Sequence, residues 1–519
     1  MTFRLACWSV PGRNLPRSSK SFSPCSSKLK CNRTDPPRAF VIATATQLAT
    51  VYTRAQVGLE APQVTVEVHL ATGLPGLSVV GLAETTVKES KDRVRAAITN
   101  TGLKVPDRRI IVSLAPADLP KSGSRFDLAI AIGILAASGQ VSADNLSGYE
   151  FLGELALSGE LRGVPAVLPT LMQALHSQRL VVVPRASAGE AGLLNSDRVK
   201  TAAHLLDVVR HLQGLGDLNA VPPFVAKPEP RGSCDLAEVQ GQHLAKRALE
   251  IAAAGNHNLL LIGPPGTGKS MLARRLPGLL APMTHDQALV SAALHSLSVS
   301  GNSLRWRERP FRAPHHTASA VALVGGTALP RPGEISLAHG GVLFLDELPE
   351  FDRRVLEALR EPLETGRISI ARARRSAEFP AQFQLVAAMN PCPCGFFGDS
   401  QRACRCSPEQ VRRYQSRISG PFLDRLDIVV ELTRFTMHWT PAPRVTGDSS
   451  DTVRQRVISA IGSQHDRCGK PNSALVGGEV RRYCLPDATG QRLLSRAADK
   501  LALSARACDS VLRVARTVA

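Results

Sequence analysis

Asn258-Leu259-Leu260-Leu261-Ile262-Gly263-Pro264-Pro265-Gly266-Thr267-Gly268-Lys269-Ser270 is the stretch on which the reading of this chain turns. Its first half is a short apolar run without alternation, the mark of a strand buried on both faces of a parallel sheet. Its second half is rich in glycine, ends in Lys-Ser and runs into Met271-Leu272-Ala273-Arg274, a helix-forming tetrapeptide. Strand, glycine loop and helix in that order are the context a phosphate-binding loop requires. The glycines let backbone N–H groups close around phosphate oxygens, and the helix N-terminus adds a favourable dipole. Lys269 supplies a point charge for the β/γ-phosphates, and the Ser270 hydroxyl is placed to ligate Mg²⁺. Gly263, Pro264, Pro265, Gly266, Thr267, Gly268, Lys269 and Ser270 are therefore the candidate ATP contacts.

Two further apolar runs end in polar residues suited to the same ligand. Val342-Leu343-Phe344-Leu345 leads into Asp346-Glu347, 76 residues after Ser270. In a parallel sheet this strand lies beside the phosphate loop, and its two acids can divide the work. Asp346 is expected to reach Mg²⁺, and Glu347 to polarise the attacking water as general base. Gln384-Leu385-Val386-Ala387-Ala388-Met389 ends in Asn390, whose amide is expected to hold the lytic water near the γ-phosphate.

Working outward, the 519 residues suit several structural units. No run approaches 18 uninterrupted apolar residues, so a membrane-spanning helix and a membrane partner are not expected. The formal charge is +19, of which residues 1–40 carry +7 (eight Lys/Arg and one acid, Asp35), leaving +12 for the rest. That excess points to a polyanionic partner such as DNA or to nothing more than a soluble basic surface. Eleven cysteines are scattered rather than framed as a secreted disulfide scaffold, which suits a reducing, cytoplasmic setting.

Residues 1–47 are Ser-, Pro- and Arg-rich, without a sustained hydrophobic period. They read as a disordered or spurious extension rather than an organelle signal. Residues 48–213 read as an α/β domain, with strands at Val64–Val68, Leu77–Val80, Arg109–Leu114 and Arg179–Pro184 and helices at Val87–Thr101 and Leu128–Ala137. Residues 214–234 carry Pro222, Pro223, Pro228 and Pro230 and read as a linker. Residues 235–434 hold the nucleotide motifs. Residues 435–519 are helical, and the chain stops at Ala519 inside an amphipathic pattern, as a shortened lid would.

Cys392-Pro393-Cys394 and Cys404-Arg405-Cys406 put four thiols within fifteen residues. Together they could satisfy tetrahedral Zn²⁺, although the one-residue spacing is tighter than usual and reduced free thiols are the alternative. Between the acid pair and Asn390, Arg367–Ser376 alternates Ile368 and Ile370 and then clusters Arg372, Arg374 and Arg375 at an expected hairpin tip. Those three arginines could track a phosphate backbone without reading sequence, or form a solvated loop.

Three long segments go beyond a generic ATPase. Arg309-Pro310-Phe311-Arg312-Ala313-Pro314-His315-His316-Thr317, Arg331-Pro332-Gly333-Glu334-Ile335-Ser336-Leu337-Ala338-His339-Gly340-Gly341 and Met389-Asn390-Pro391-Cys392-Pro393-Cys394-Gly395 resemble the magnesium-chelatase-like AAA+ family. The resemblance runs from about Ala49 to Ala519 and implies a P-loop AAA+ parallel-sheet core with a helical lid, working as a homo-hexamer. It implies that Arg425, in Gly420–Asp427, contacts a neighbouring subunit's γ-phosphate as an arginine finger. It implies that Arg506, in Leu503–Arg506, faces the phosphates as a second sensor, and that Val239–Gln242 covers the adenine. Where the family has aromatic-His-Arg after that lid arginine, this chain has Cys508-Asp509-Ser510. In the family, the segment holding Arg372, Arg374 and Arg375 projects into the ring pore. The implied task is ATP-driven DNA translocation that promotes branch migration of recombination intermediates in natural transformation. A chelatase-type remodeller of partner subunits is the alternative. The N-terminal domain resembles a Lon-protease-like, ribosomal-S5-type fold. Yet Arg125 stands where the protease serine belongs, and no lysine lies between Phe151 and Val199, so peptidase activity is not expected.

Overall fold

A computed structural model describes residues 47–81, 84–225, 234–298, 306–326, 330–372, 375–434 and 447–519. The expected extension as far as residue 46 and two of the four prolines of the expected linker, Pro228 and Pro230, lie outside them. Two mixed regions of strand and helix are followed along the chain by a helical one.

The first is built on an eight-stranded sheet. Its strands are β1 (Leu48–Arg54), β2 (Gln63–Ala71), β3 (Gly76–Val80), β4 (Arg109–Ala115) and β5 (Tyr149–Phe151). A short hairpin of β6 (Glu154–Leu155) and β7 (Leu161–Arg162) stands apart, and β8 (Leu180–Pro184), β9 (Val199–Ala202) and β10 (Asn219–Ala220) complete the sheet. The order is β10-β9-β8-β5-β1-β2-β4-β3. The expected strands are all present; the central strand β1, which the sequence reading left unassigned, pairs antiparallel with β2. Val64, Val66 and Val68 alternate inward and are fully buried, while Thr65 and Glu67 take the other face. The helix Asp127–Ala137 covers the valine face and is buried along its whole length. Gly133 permits the approach, because a Cβ there would stand 2.6 Å from Val68 Cγ2.

The second region holds a five-stranded sheet of β11 (Leu259–Ile262), β12 (Phe311–Arg312), β13 (Val342–Leu345), β16 (Gln384–Met389) and β17 (Ile428–Glu431). All neighbours pair parallel, in the order β12-β13-β16-β11-β17. Leu260, Leu343, Leu345, Leu385 and Ala387 point into one core, and Leu259, Leu261, Phe344, Val386 and Ala388 into another. A parallel sheet covered on both faces therefore reads as unbroken apolar runs rather than alternation. Between β13 and β16 rises the hairpin β14 (Arg367–Arg372) and β15 (Arg375–Pro380), with Ile368, Ile370 and Phe379 buried at its base.

The third region is helical. Ser450–Cys468 lies against the helix His243–Gly255, burying Val453 and Val457 and joining Arg456 to Glu250 at 2.6 Å. Ala505–Val518 reaches the loop before β11, where Thr517 Oγ1 meets His257 Nε2 at 2.8 Å. Among the described residues, no helix is long and apolar enough to cross a membrane.

Candidate nucleotide site and its neighbours

At the C-terminal end of β11 the chain turns through Gly266 (φ +81°) and Gly268 (φ +90°) before the helix Lys269–Ala273 begins. Both are left-handed positions that a side chain would strain, so glycine is what allows this turn into a helix N-terminus. Lys269 is nine-tenths buried, and its Nζ donates to Gly263 O at 2.7 Å, Pro264 O at 3.0 Å and Asn390 Oδ1 at 3.1 Å. All three acceptors are neutral, so the ammonium is held in place while its charge stays available to an anion. Burial lowers its pKa, against the opposing pull of Asp346 and Glu347.

The strands β13 and β16 end beside this loop. Ser270 Oγ donates to Asp346 Oδ2 at 2.6 Å, and the Glu347 N–H donates to Asp346 Oδ1 at 3.0 Å. A hydroxyl and a carboxylate oxygen in contact are a hard-donor pair suited to Mg²⁺ or its water shell, and the charge of Lys269 suits a polyphosphate. Thus Lys269, Ser270, Asp346 and Asn390, read from three separate segments, meet at one end of the sheet. Near them, Gln242 donates to Thr267 O at 3.4 Å and Thr433 O at 2.8 Å, so the turn expected over the base does lie against the phosphate loop.

Glu347 stands slightly apart. Its backbone is left-handed (φ +54°), a conformation costing a non-glycine residue about 1–2 kcal/mol, of the kind concentrated at functional sites. Its half-exposed carboxylate lies 3.1 Å from His316 Nδ1, and the His316 ring is placed edge-on to Phe351. His316 had no assigned role in the sequence reading. The signal was there: two adjacent histidines follow the short strand β12, which pairs with β13.

The expected arginines lie at the other end. Arg425 is buried and pairs with Glu364, while its Nη1 donates to Pro421 O. Arg506 Nη1 reaches the same Glu364 at 3.1 Å. Both arginines hold the Glu364 carboxyl below its usual range, the hydrogen bond from Arg506 being the largest effect. Asn258, just before β11, donates to Arg425 O at 2.9 Å, and Ser510 donates to Asp427 Oδ1 at 2.7 Å. The pair therefore sits at the N-terminal edge of β11 and β17. Four residues of β11, at about 3.3 Å each, place roughly 13 Å of strand between it and the phosphate loop. The expectation that Arg506 faces the phosphates is corrected to this extent: within its own chain it is turned to Glu364. The reason is that the Ala505–Val518 helix docks through Ser510 and Thr517 beneath the sheet.

The four cysteines converge. Sγ–Sγ distances are 3.4 Å for Cys392–Cys394, 3.6 Å for Cys392–Cys404 and 3.6 Å for Cys394–Cys404, and all four sulfurs lie within 4.8 Å of one another. A tetrahedral Zn²⁺ with 2.3 Å bonds has S–S edges of about 3.8 Å, so the donor set fits. None of the four is disulfide-bonded. Phe397 N–H donates to Cys392 Sγ at 3.3 Å and Cys406 N–H to Cys404 Sγ at 3.4 Å. Backbone N–H groups of Arg405 and Phe396 pull Cys394 down to about 6.

At the expected nucleic-acid contact, β14 and β15 pair as far as Arg372 and Arg375, so the hairpin forms with those positions beside its turn. Arg374 lies outside the described residues. In the first region, Arg125 is buried, donating to Pro165 O at 2.8 Å and Thr170 Oγ1 at 3.2 Å, and burial lowers it to about 10.

Comparison with known proteins agrees with this geometry. The family "Magnesium chelatase, subunit ChlI" matches residues 235–439, "Subunit ChlI of Mg-chelatase" matches 66–187, and "Magnesium chelatase, subunit ChlI C-terminal" matches 447–519. The "Uncharacterized protein YifB" of Salmonella typhimurium is 50% identical over 480 residues, 91% of this chain and 93% of that protein. The "Competence protein ComM" of Haemophilus influenzae is 50% identical over 477 residues, again 91% and 93%. More distantly, "Lon protease 2" of Bacillus subtilis is 24% identical over 229 residues, 39% of this chain and 41% of that protein. An intact phosphate loop in a five-stranded parallel sheet, matched along nearly its whole described length, places this chain in the magnesium-chelatase ChlI family of AAA+ proteins.

Proposed function

We propose that the chain is an ATP-hydrolysing ring motor that acts on DNA, promoting branch migration during natural transformation. The observation that carries the ATPase part is the contact set Lys269–Asn390 and Ser270–Asp346 at the ends of three parallel strands. Gly263–Ser270 would cradle the triphosphate, with Ser270 and Asp346 holding Mg²⁺, which supplies charge neutralisation at the phosphates. Glu347 acts as general base and Asn390 orients the lytic water. The order of parts is that of a Lon-like, S5-type domain (48–213), a linker (214–234), the ATPase core (235–434) and a helical lid (435–519).

Arg425 and Arg506 complete the site of a neighbouring copy, because neither reaches the phosphate loop of its own chain. A homo-hexameric ring supplies that neighbour. The cysteine set holds a structural Zn²⁺. Arg372, Arg374 and Arg375 contact the DNA backbone, a reading supported by the charge of +12 outside residues 1–40 and by the position of Arg372 and Arg375 beside the turn of the hairpin. The likeness to the competence protein supports the setting, and the proposed place of action is the cytoplasm. The buried Arg125 occupies the place where a Lon-type nucleophile would stand, so no peptidase activity is expected.

A second reading, ATP-driven remodelling of partner subunits, is favoured by the family's description as a chelatase subunit. ATP hydrolysis measured with and without forked or three-stranded DNA decides between them. Stimulation supports the DNA motor; a rate indifferent to every DNA tested would leave the remodeller.

A further inference from the structure

The cysteine segment does more than follow Asn390 in the chain: it is packed on the phosphate loop. Gly395 lies directly after Cys394 with φ +83°, and a Cβ built there would stand 2.7 Å from Cδ and 3.3 Å from Cγ of Pro265. The same Cβ would be 3.9 Å from Cγ of Asn390. Gly395 N–H donates to Cys392 O at 2.9 Å, which ties this contact point to the buried cysteine itself. Gln415 Nε2, at the end of the helix Pro408–Gln415, donates to Pro391 O at 3.1 Å. That helix starts immediately after Cys406, with Ser407 as its N-cap. The loop from Cys392 to Cys406 is thus pinned at both ends, with the phosphate loop against its first turn at Gly395.

We infer that the metal-bound cysteine segment is a positioning element of the nucleotide site. It fixes Gly395 against Pro265 and Asn390 against Lys269, so that nucleotide affinity depends on whether the metal is bound. The inference rests on the reading of the four cysteines as a Zn²⁺ site and of Gly263–Ser270 as an ATP site. The physical reason is chain entropy. Four thiols closed on one ion cross-link residues up to fourteen apart, and without that link the loop regains freedom that nucleotide binding must remove. No residue of the segment touches the reaction; the effect is transmitted through the van der Waals contact at Gly395 and the amide of Asn390.

The test uses the full chain, with zinc content measured and the affinity of a fluorescent ATP analogue read directly. Removing zinc with a chelator should weaken nucleotide binding about tenfold, a change of 1.4 kcal/mol, and added Zn²⁺ should restore it. Because removing a metal that cross-links four cysteines also frees the loop beyond this contact, Gly395→Ala is the second arm. It keeps all four cysteines and should keep zinc, yet it drives a methyl into Pro265, so it should weaken binding by a similar factor. Gly398→Ala is its control: φ is +76° there as well, but nothing lies within 4 Å of its Cβ, so affinity should be unchanged. A chain that carries no zinc and takes none up overturns the metal reading and this inference with it. Zinc-loaded protein whose affinity is indifferent both to zinc removal and to Gly395→Ala overturns the inference and leaves the metal site standing. A chain that binds no nucleotide in any metal state overturns the ATP reading itself.

Discussion

At the C-terminal ends of β11, β13 and β16, Lys269 meets Asn390 and Ser270 meets Asp346; at the N-terminal edge of β11 and β17, Arg425 and Arg506 share the single carboxylate of Glu364. The first group is held mainly by neutral oxygens and hydroxyls around one buried ammonium, an arrangement one chain completes by itself. The second sets two guanidinium groups against one acid, and the buried Arg425 keeps its Nε without a hydrogen bond. One carboxylate balances only one of the two guanidinium charges, so the pair keeps a net positive charge. The difference teaches that the phosphate loop and the two arginines lie at opposite ends of one sheet, so the proposed ATPase site draws its arginines from a neighbouring chain.

The comparison breaks most visibly at Arg425. Arg425→Ala should lower ATP hydrolysis about 10³-fold with little change in nucleotide affinity, if the arginine acts across an interface. Mixing that variant with Lys269→Ala chains should restore part of the activity, because each supplies what its neighbour lacks. No recovery on mixing would show that the two ends of the sheet do not serve one site. Glu347→Gln should retain bound ATP while hydrolysis falls about 10²-fold or more, measured as phosphate released per bound nucleotide. Equal loss of binding and hydrolysis would move Glu347 out of the role of base. Replacing Arg372, Arg374 and Arg375 together by Ala should flatten the salt dependence of DNA binding, each phosphate contact accounting for about 0.7–0.9 in the slope of log K against log salt. An unchanged slope would return the hairpin tip to solvent. The smallest effect is expected at Glu364→Gln. An exposed carboxylate shared by two arginines contributes within about 1 kcal/mol, so thermal stability should hardly change while the two arginines are released. A large destabilisation would make Glu364 a structural anchor rather than a resting partner.

Much of the nucleotide end was legible in the sequence because each part is local. Leu259–Ile262, the glycine turn and the helix that follows are adjacent residues whose conformations are dictated by their own side chains. The acids after β13 and the asparagine after β16 were legible for the same reason: a short apolar run with a polar residue at its end. The helix Asp127–Ala137 was legible from its unbroken apolar content, whereas β1 was not, since Leu48–Arg54 is bounded by no turn signal strong enough to mark it.

What the sequence by itself determined is the inventory and its local geometry: strand, phosphate loop, acid pair, four paired cysteines and a basic hairpin. Only the tertiary structure decided which of these touch. It set Arg506 on Glu364 rather than on its own phosphate loop, brought His316 to Glu347, and set Gly395 on Pro265. Those contacts join residues far apart in the chain or depend on how whole helices dock. Local propensity cannot encode them, because the packing of one face on another fixes such pairs only after every element has formed.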